Sequence, residues 1–297
     1  MLPAPDFIAP YKAPEAHYED FDLPGTRLHT VRCGDGPPLV IVPATVSLIR
    51  QWLPLAQFMG LRFTSHFFEL PGHGGSTPYP EKFKSEFVPP TVEALVDKLG
   101  YERFTLMGFS FGGLLALRTL EYLQDRIERV ILLSPCVSQR ALRFSPPHKV
   151  AFRAAARVMQ YPTLQNGAHR LMNTPALESA LILALSKFSN VNPSILRSKD
   201  ALKIPASTLD VLAYTIEEIF SMDYRPTRPQ FDLPCYFGMS VQDDLLDYDL
   251  TERFMRDHFP NLTMRQFGLP YHQPPKPPTF EWLLEQFGPL LEMVEAQ

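Results

Sequence analysis

Ser110 is the residue of this chain whose type and surroundings fit nucleophilic attack on a carbonyl. Ser110 sits in Gly108-Phe109-Ser110-Phe111-Gly112-Gly113, a G-x-S-x-G pattern with one more glycine behind it. The context carries more information than the pattern, which occurs by chance in many chains. Phe104-Thr105-Leu106-Met107 before it reads as a buried strand, and Leu114-Leu115-Ala116-Leu117 after it as a helix. A serine in so tight a strand-to-helix turn must take a strained backbone conformation, with small residues two before and two after to avoid collision. The turn would lift the hydroxyl above a sheet and aim a helix N-terminus at any anion forming there.

A hydroxyl is a weak nucleophile at neutral pH and needs a base beside it, itself oriented by an acid. The stretch from Val92 to Gly113, VEALVDKLGYERFTLMGFSFGG, resembles the helix, strand and elbow of the α/β-hydrolase fold family. The resemblance covers most of the chain outside an insertion. It implies the chain order serine, acid, histidine. The acid would follow a strand ending in Gly238-Met239-Ser240-Val241-Gln242-Asp243-Asp244-Leu245-Leu246-Asp247. The family's loop commonly reads Asp-x-apolar-apolar-Pro. That pattern puts Asp243 in the acid position, with Asp244 as the competing neighbour and Asp247 where proline is usual. The other position the family uses for the acid holds Ser134-Pro135-Cys136 and offers no carboxylate. The base would be His272, in Gly268-Leu269-Pro270-Tyr271-His272-Gln273-Pro274, between the last strand and the last helix. His258 reads as a helix-end or surface residue. His73, in Leu70-Pro71-Gly72-His73-Gly74-Gly75-Ser76, matches a turn where the family's histidine is usually structural.

Acyl transfer passes through an oxyanion that needs donors already in place. The backbone N–H of Phe111 is the first expected donor. The second would come from the loop after an early strand, which begins His-Gly in many members of the family. Here Leu39–Val42 runs into Pro43-Ala44-Thr45-Val46, so Pro43 and Ala44 replace that pair and Thr45 becomes the expected donor. The loss of glycine at 44 restricts the loop backbone.

These residues need a frame. Two extended segments, His17–Leu23 and Arg27–Cys33, flank Pro24-Gly25 and predict an edge hairpin. Leu39–Val42 and Phe63–Leu70 then predict strands around a helix over Ile49–Met59. Further along, a helix over Thr91–Leu99, a strand over Phe104–Gly108, a helix over Phe111–Leu123 and a strand over Val130–Leu133 alternate. Such alternation predicts an α/β architecture: a mostly parallel central sheet flanked by helices. The rhythm breaks from Ser138 to Asp232, where helical stretches over Lys149–Met159, Ala176–Phe188 and Leu209–Phe220 contain no strand. It resumes with a strand over Cys235–Ser240, a helix over Leu250–His258, a strand over Leu262–Phe267 and a helix over Thr279–Val294. The expected organisation is a core of residues 1–137 and 233–297, with 138–232 inserted as a helical cap. Met172, Leu181, Leu183, Phe188, Tyr214 and Phe220 make the insertion apolar. At helical spacing such residues pack on the core more often than they line a pocket.

The chain's 297 residues suffice for a large domain carrying an insertion. Apolar residues at 45% and charged residues at 20% suit a soluble globular protein. A net charge of −4 without a Lys/Arg block predicts no nucleic-acid partner. No apolar run is long enough for a bilayer and no signal-peptide pattern opens the chain, so a cytoplasmic location is expected. Three cysteines, Cys33, Cys136 and Cys235, lack metal spacing and read as reduced core residues. No metal and no cofactor is expected. The reaction that fits is hydrolysis of a small apolar carboxylic ester, thioester or lactone through an acyl-enzyme on Ser110. An iminopeptidase-like or carbon–carbon bond hydrolase would use the same three residues, with Glu178, Glu217 or Glu218 available to hold an amine. A non-catalytic binding protein that kept the fold is the third reading.

Overall fold

The computed structural model describes residues 11–46, 48–172, 206–274 and 277–295. The hairpin β1 (Ala16–Leu23) and β2 (Thr26–Cys33) opens the sheet, followed by β3 (Pro38–Val42), α1 (Ile49–Met59) and β4 (Thr64–Phe68). Next come α2 (Val88–Lys98), β5 (Phe104–Phe109), α3 (Phe111–Tyr122) and β6 (Ile127–Leu133). After α4 (Pro146–Met159), α5 (Pro162–Met172) and α6 (Ala206–Ile219), the sheet resumes with β7 (Cys235–Ser240), α7 (Tyr248–His258), β8 (Leu262–Phe267) and α8 (Phe280–Glu295). Eight strands pair in the order β1-β2-β4-β3-β5-β6-β7-β8. β1 and β2 pair antiparallel, as does β2 with β4, and every later pairing is parallel.

The central strands are apolar on both faces because helices cover both. Successive residues alternate sides. Val40, Val42, Leu106, Val130 and Leu132 join the core beneath α2, α3 and α7. Their neighbours Leu39, Ile41, Met107, Ile131 and Leu133 join the opposite core beneath α1 and α8. This is why Val130–Leu133 of β6 reads as an unbroken apolar run.

Several elements start earlier than expected. Helix α2 begins at Val88, with Pro89 and Pro90 in its first turn, where their missing N–H groups cost nothing. Helix α7 begins at Tyr248 because Asp247 is its N-cap, Oδ1 accepting from the Leu250 N–H at 3.0 Å. Asp247 therefore starts a helix where the family's loop has proline. The expected helix over Ala176–Phe188, with Leu181, Leu183 and Phe188, lies outside the described residues. Cys33, Cys136 and Cys235 are free and buried, and burial pushes the Cys136 thiol up to about 12. No described helix is long and apolar enough to cross a membrane.

Two buried histidines tie the fold to pH. His66 in β4 is 2% exposed and shares a 2.9 Å hydrogen bond with the Tyr101 hydroxyl. His73 is fully buried, and neither of its ring nitrogens has a partner among the described residues. Burial lowers both from 6.5 to about 4, with Arg32 adding to the effect at His66. The unfolded chain thus takes up protons first, so the stability is present above about pH 6.5 and is lost as pH falls towards 4. Urea unfolding at pH 5 should give a free energy lower than at pH 7 by about 2 kcal/mol per histidine. His73→Asn should remove about half of that difference; an unchanged pH slope would show that the ring takes up its proton in the folded state.

Candidate active site

The backbone conformation at Ser110 explains the glycines around it. Ser110 has φ 55° and ψ −121°, a strained region for a residue with a side chain. Its N–H donates to Leu133 O at 3.0 Å, while its carbonyl accepts from Gly113 and Cys136 N–H at 2.9 Å each. The strained residue is therefore fastened to β6 and to the start of α3. A Cβ on Gly108 would lie 2.2 Å from Gly112 O, and one on Gly112 would lie 2.5 Å from Val42 O. No side chain fits at either place.

The structure brings the three expected residues together. His272 Nε2 lies 2.8 Å from Ser110 Oγ, and His272 Nδ1 lies 2.7 Å from Asp243 Oδ2. The His272 side chain is 5% exposed and that of Asp243 is wholly buried. Asp243 Oδ1 accepts from the N–H groups of Leu245 at 2.9 Å and Leu246 at 2.8 Å. Burial alone would raise this carboxyl, but His272 and the two backbone donors outweigh it and hold it below the ordinary aspartate value. An ionised Asp243 accepts from Nδ1–H, which leaves Nε2 free to accept the Ser110 proton. The arrangement can generate a serine alkoxide equivalent at neutral pH. The Phe109 ring stacks on the imidazole, with centroids 5.2 Å apart and planes at 22°.

The second aspartate also acts on His272, at a different atom. Asp244 Oδ1 accepts from the His272 backbone N–H at 2.7 Å. Asp243 thus holds the ring and Asp244 the main chain. His258, at the end of α7, is engaged elsewhere, its Nδ1 lying 2.9 Å from Pro229 O. His73 is buried in the turn after β4, and its ring nitrogens bond to none of Ser110, Asp243 or His272.

The loop after β3 lies against the elbow, since Val42 O and Pro43 O crowd the Cα of Gly112. Thr45 follows in a turn and is half-buried, and Phe111 is the first residue of α3. Ala44 is not among the residues with positive φ, so glycine is not required there. The replacement of His-Gly by Pro43-Ala44 is thereby accommodated without strain. The far end of this loop is held by a residue that sequence reasoning passed over. Glu69, 5% exposed, accepts from Ile49 N–H at 2.9 Å and from Gly75 N–H at 2.6 Å. Its one signal was a carboxylate between a buried strand and a glycine-rich turn. Glu69→Ala would leave two backbone donors unpaired and should cost about 2–4 kcal/mol in urea unfolding. A variant as stable as the parent would mean that water satisfies both donors.

Helices α4–α6 connect β6 to β7. Thr208 Oγ1 donates to Gly72 O at 3.1 Å, and Phe220 stacks on Phe152 with centroids 5.1 Å apart. Glu218 accepts from Ser85 Oγ at 2.6 Å and from Arg118 at 3.0 Å, and Glu217 pairs with Arg157 and Gln160. Glu178 lies outside the described residues. No cluster of three or more His, Cys, Asp or Glu side chains suited to a metal occurs among the described residues.

Comparison with known proteins bears on this geometry. The model of the alpha/beta hydrolase fold family matches residues 37–173. A pimeloyl-[acyl-carrier protein] methyl ester esterase of Nitrosomonas europaea is 28% identical over 116 residues, covering 38% of this chain and 44% of that protein. The chain thus spans less than half the length of the curated relatives it matches. The crystal structure of an N-formylmaleamic acid deformylase from Pseudomonas putida S16 superposes with a TM-score of 0.66 at 16% identity, covering 91% of this chain and 99% of that one. An enol-lactonase from Burkholderia xenovorans LB400 superposes with a TM-score of 0.62 at 18% identity, over 93% and 98% of the two chains. With that sheet order, and with solved folds matching it almost end to end, the chain has the α/β-hydrolase fold.

Proposed function

We propose that this protein is a serine hydrolase that cleaves a small carboxylic ester, thioester or lactone, with Ser110, Asp243 and His272 as its catalytic triad. The observation that carries the reading is the continuous relay from Asp243 Oδ2 through both ring nitrogens of His272 to Ser110 Oγ, at 2.7 and 2.8 Å. In the first step Ser110 Oγ bonds to the substrate carbonyl carbon while its proton passes to His272 Nε2. The N–H groups of Phe111 and Thr45 receive the oxyanion. Collapse expels the alcohol, which takes the proton from His272. Water then loses a proton to His272 and attacks the acyl-serine, and the acid leaves as Ser110 Oγ takes that proton back from His272.

Segment 138–232 serves as the cap over a core of residues 1–137 and 233–297, with α4–α6 setting which apolar groups reach Ser110. The names of the relatives fit this range, since an esterase and an enol-lactonase both act on acyl–oxygen bonds. The deformylase name adds an N-formyl amide to the substrates worth testing. Glu217 and Glu218 weigh against an iminopeptidase, because Arg157, Gln160, Ser85 and Arg118 already occupy them. Serine at the elbow weighs against epoxide opening, for which the resembling enzymes use aspartate. A binding protein free of catalytic selection would have no need to keep a buried carboxylate–imidazole pair aimed at a strained hydroxyl.

The decisive experiment is hydrolysis of p-nitrophenyl esters of graded chain length, together with an N-formyl amide. Ser110→Ala should lower kcat by about 10⁴–10⁶-fold. A fluorophosphonate should label the parent protein at Ser110 and leave the variant unlabelled. Undiminished hydrolysis by the variant, or a parent inert to both esters and label, would overturn the proposal.

A further inference from the structure

The loop that carries the base has little else to hold it. Gly268 to Pro274 contains neither helix nor strand. Behind the imidazole is an apolar cavity of about 50 Å³, walled by Trp52, Phe109, Leu269, His272, Trp282 and Phe287. Packing on that side is therefore incomplete, and dispersion alone does not fix the ring against it. Two polar anchors reach the loop's backbone from the end of β7. Ser240 Oγ donates to Leu269 O, and Asp244 Oδ1 accepts from His272 N–H at 2.7 Å.

From this we infer that Asp244 is a positioning residue for the base: it clamps the main chain of His272 so that Asp243 can orient its ring. The two adjacent carboxylates divide the work by depth. Asp243 is wholly buried and bonds to the ring, whereas Asp244 is exposed and bonds to the backbone. Rotation about the side-chain bonds of His272 stays under the control of Asp243. Translation of its Cα, which no ring contact prevents, falls to Asp244. A displacement of about 1 Å at a reacting group is enough to cost on the order of 100-fold in rate. The bond needs only an acceptor oxygen at this position, so an amide oxygen meets the same requirement as a carboxylate.

The inference rests on the hydrolytic reading of the site, and its test separates the two. Asp244 is exposed, so its replacement leaves both cores untouched. Asp244→Ala should lower kcat by about 10–100-fold with KM within about 2-fold, since ground-state binding is not involved. Asp244→Asn should restore kcat to within about 3-fold of the parent, because its amide oxygen accepts the same bond. A proton NMR spectrum gives a readout independent of turnover. The downfield Nδ1–H resonance of His272, sharp in the parent and in Asp244→Asn, should broaden in Asp244→Ala. An alanine variant with full kcat and a sharp resonance would overturn the clamp, as would an asparagine variant as impaired as alanine. If the parent hydrolyses nothing, the hydrolytic reading fails while the resonance still decides the clamp.

Discussion

The architecture serves one short chain of hydrogen bonds, from a buried carboxylate through an imidazole to a strained hydroxyl. Its members lie far apart in sequence and close together only because of strand order. Ser110 follows β5, Asp243 follows β7 and His272 follows β8, and parallel pairing brings these strand ends to the same edge of the sheet. β6 lies between β5 and β7, and its Leu133 carbonyl accepts from Ser110 N–H. The loop after β3 reaches the same place because the chain reverses direction across the sheet there, with β4 on one side of β3 and β5 on the other. Crevices at such reversals are where open α/β sheets place their ligands.

Burying an aspartate costs free energy that must be recovered locally. Asp243 recovers it through three donors, two of them backbone N–H groups of the turn that leads towards α7. The turn that completes the acid's hydrogen bonds is thus continuous with a helix capped by Asp247, so the acid is held by regular structure rather than by a free loop. Glu69 does a comparable job on the opposite rim, joining the end of the β3–α1 loop to the glycine-rich turn after β4. In both cases a carboxylate holds main-chain N–H groups, and a neighbouring segment is placed as a result.

Residues whose neighbours are set by local pattern were legible in the sequence. The elbow was, because a buried strand, a small-residue turn and a helix follow one another without a gap. The strands over Cys235–Ser240 and Leu262–Phe267 were legible for the same reason, being bounded by Pro, Asn and Gly. Helix starts were less so. Val88-Pro89-Pro90 reads as a break, yet proline is harmless in a first turn. Least visible were carboxylates that bind backbone. The bond from Asp244 to His272 spans 28 residues and Glu69 to Ile49 spans 20, so no spacing rule relates the partners. Sequence reading treated Asp243 and Asp244 as rivals for one role; in the fold they hold different atoms of the same residue.

The two strands joined by the long connection, β6 and β7, lie side by side in parallel, β7 starting beside Val130 and β6 ending beside Gly238. The whole stretch is therefore, to the sheet, a single closed loop of about 100 residues, and doubling such a loop adds only about 0.6 kcal/mol of closure entropy. Its length and content can change while the strand ends that carry the reacting groups stay in place. Under the proposed function, selectivity and reactivity sit in separable stretches of one chain. A lineage could trade one helical segment for another and meet a new compound with the old chemistry intact.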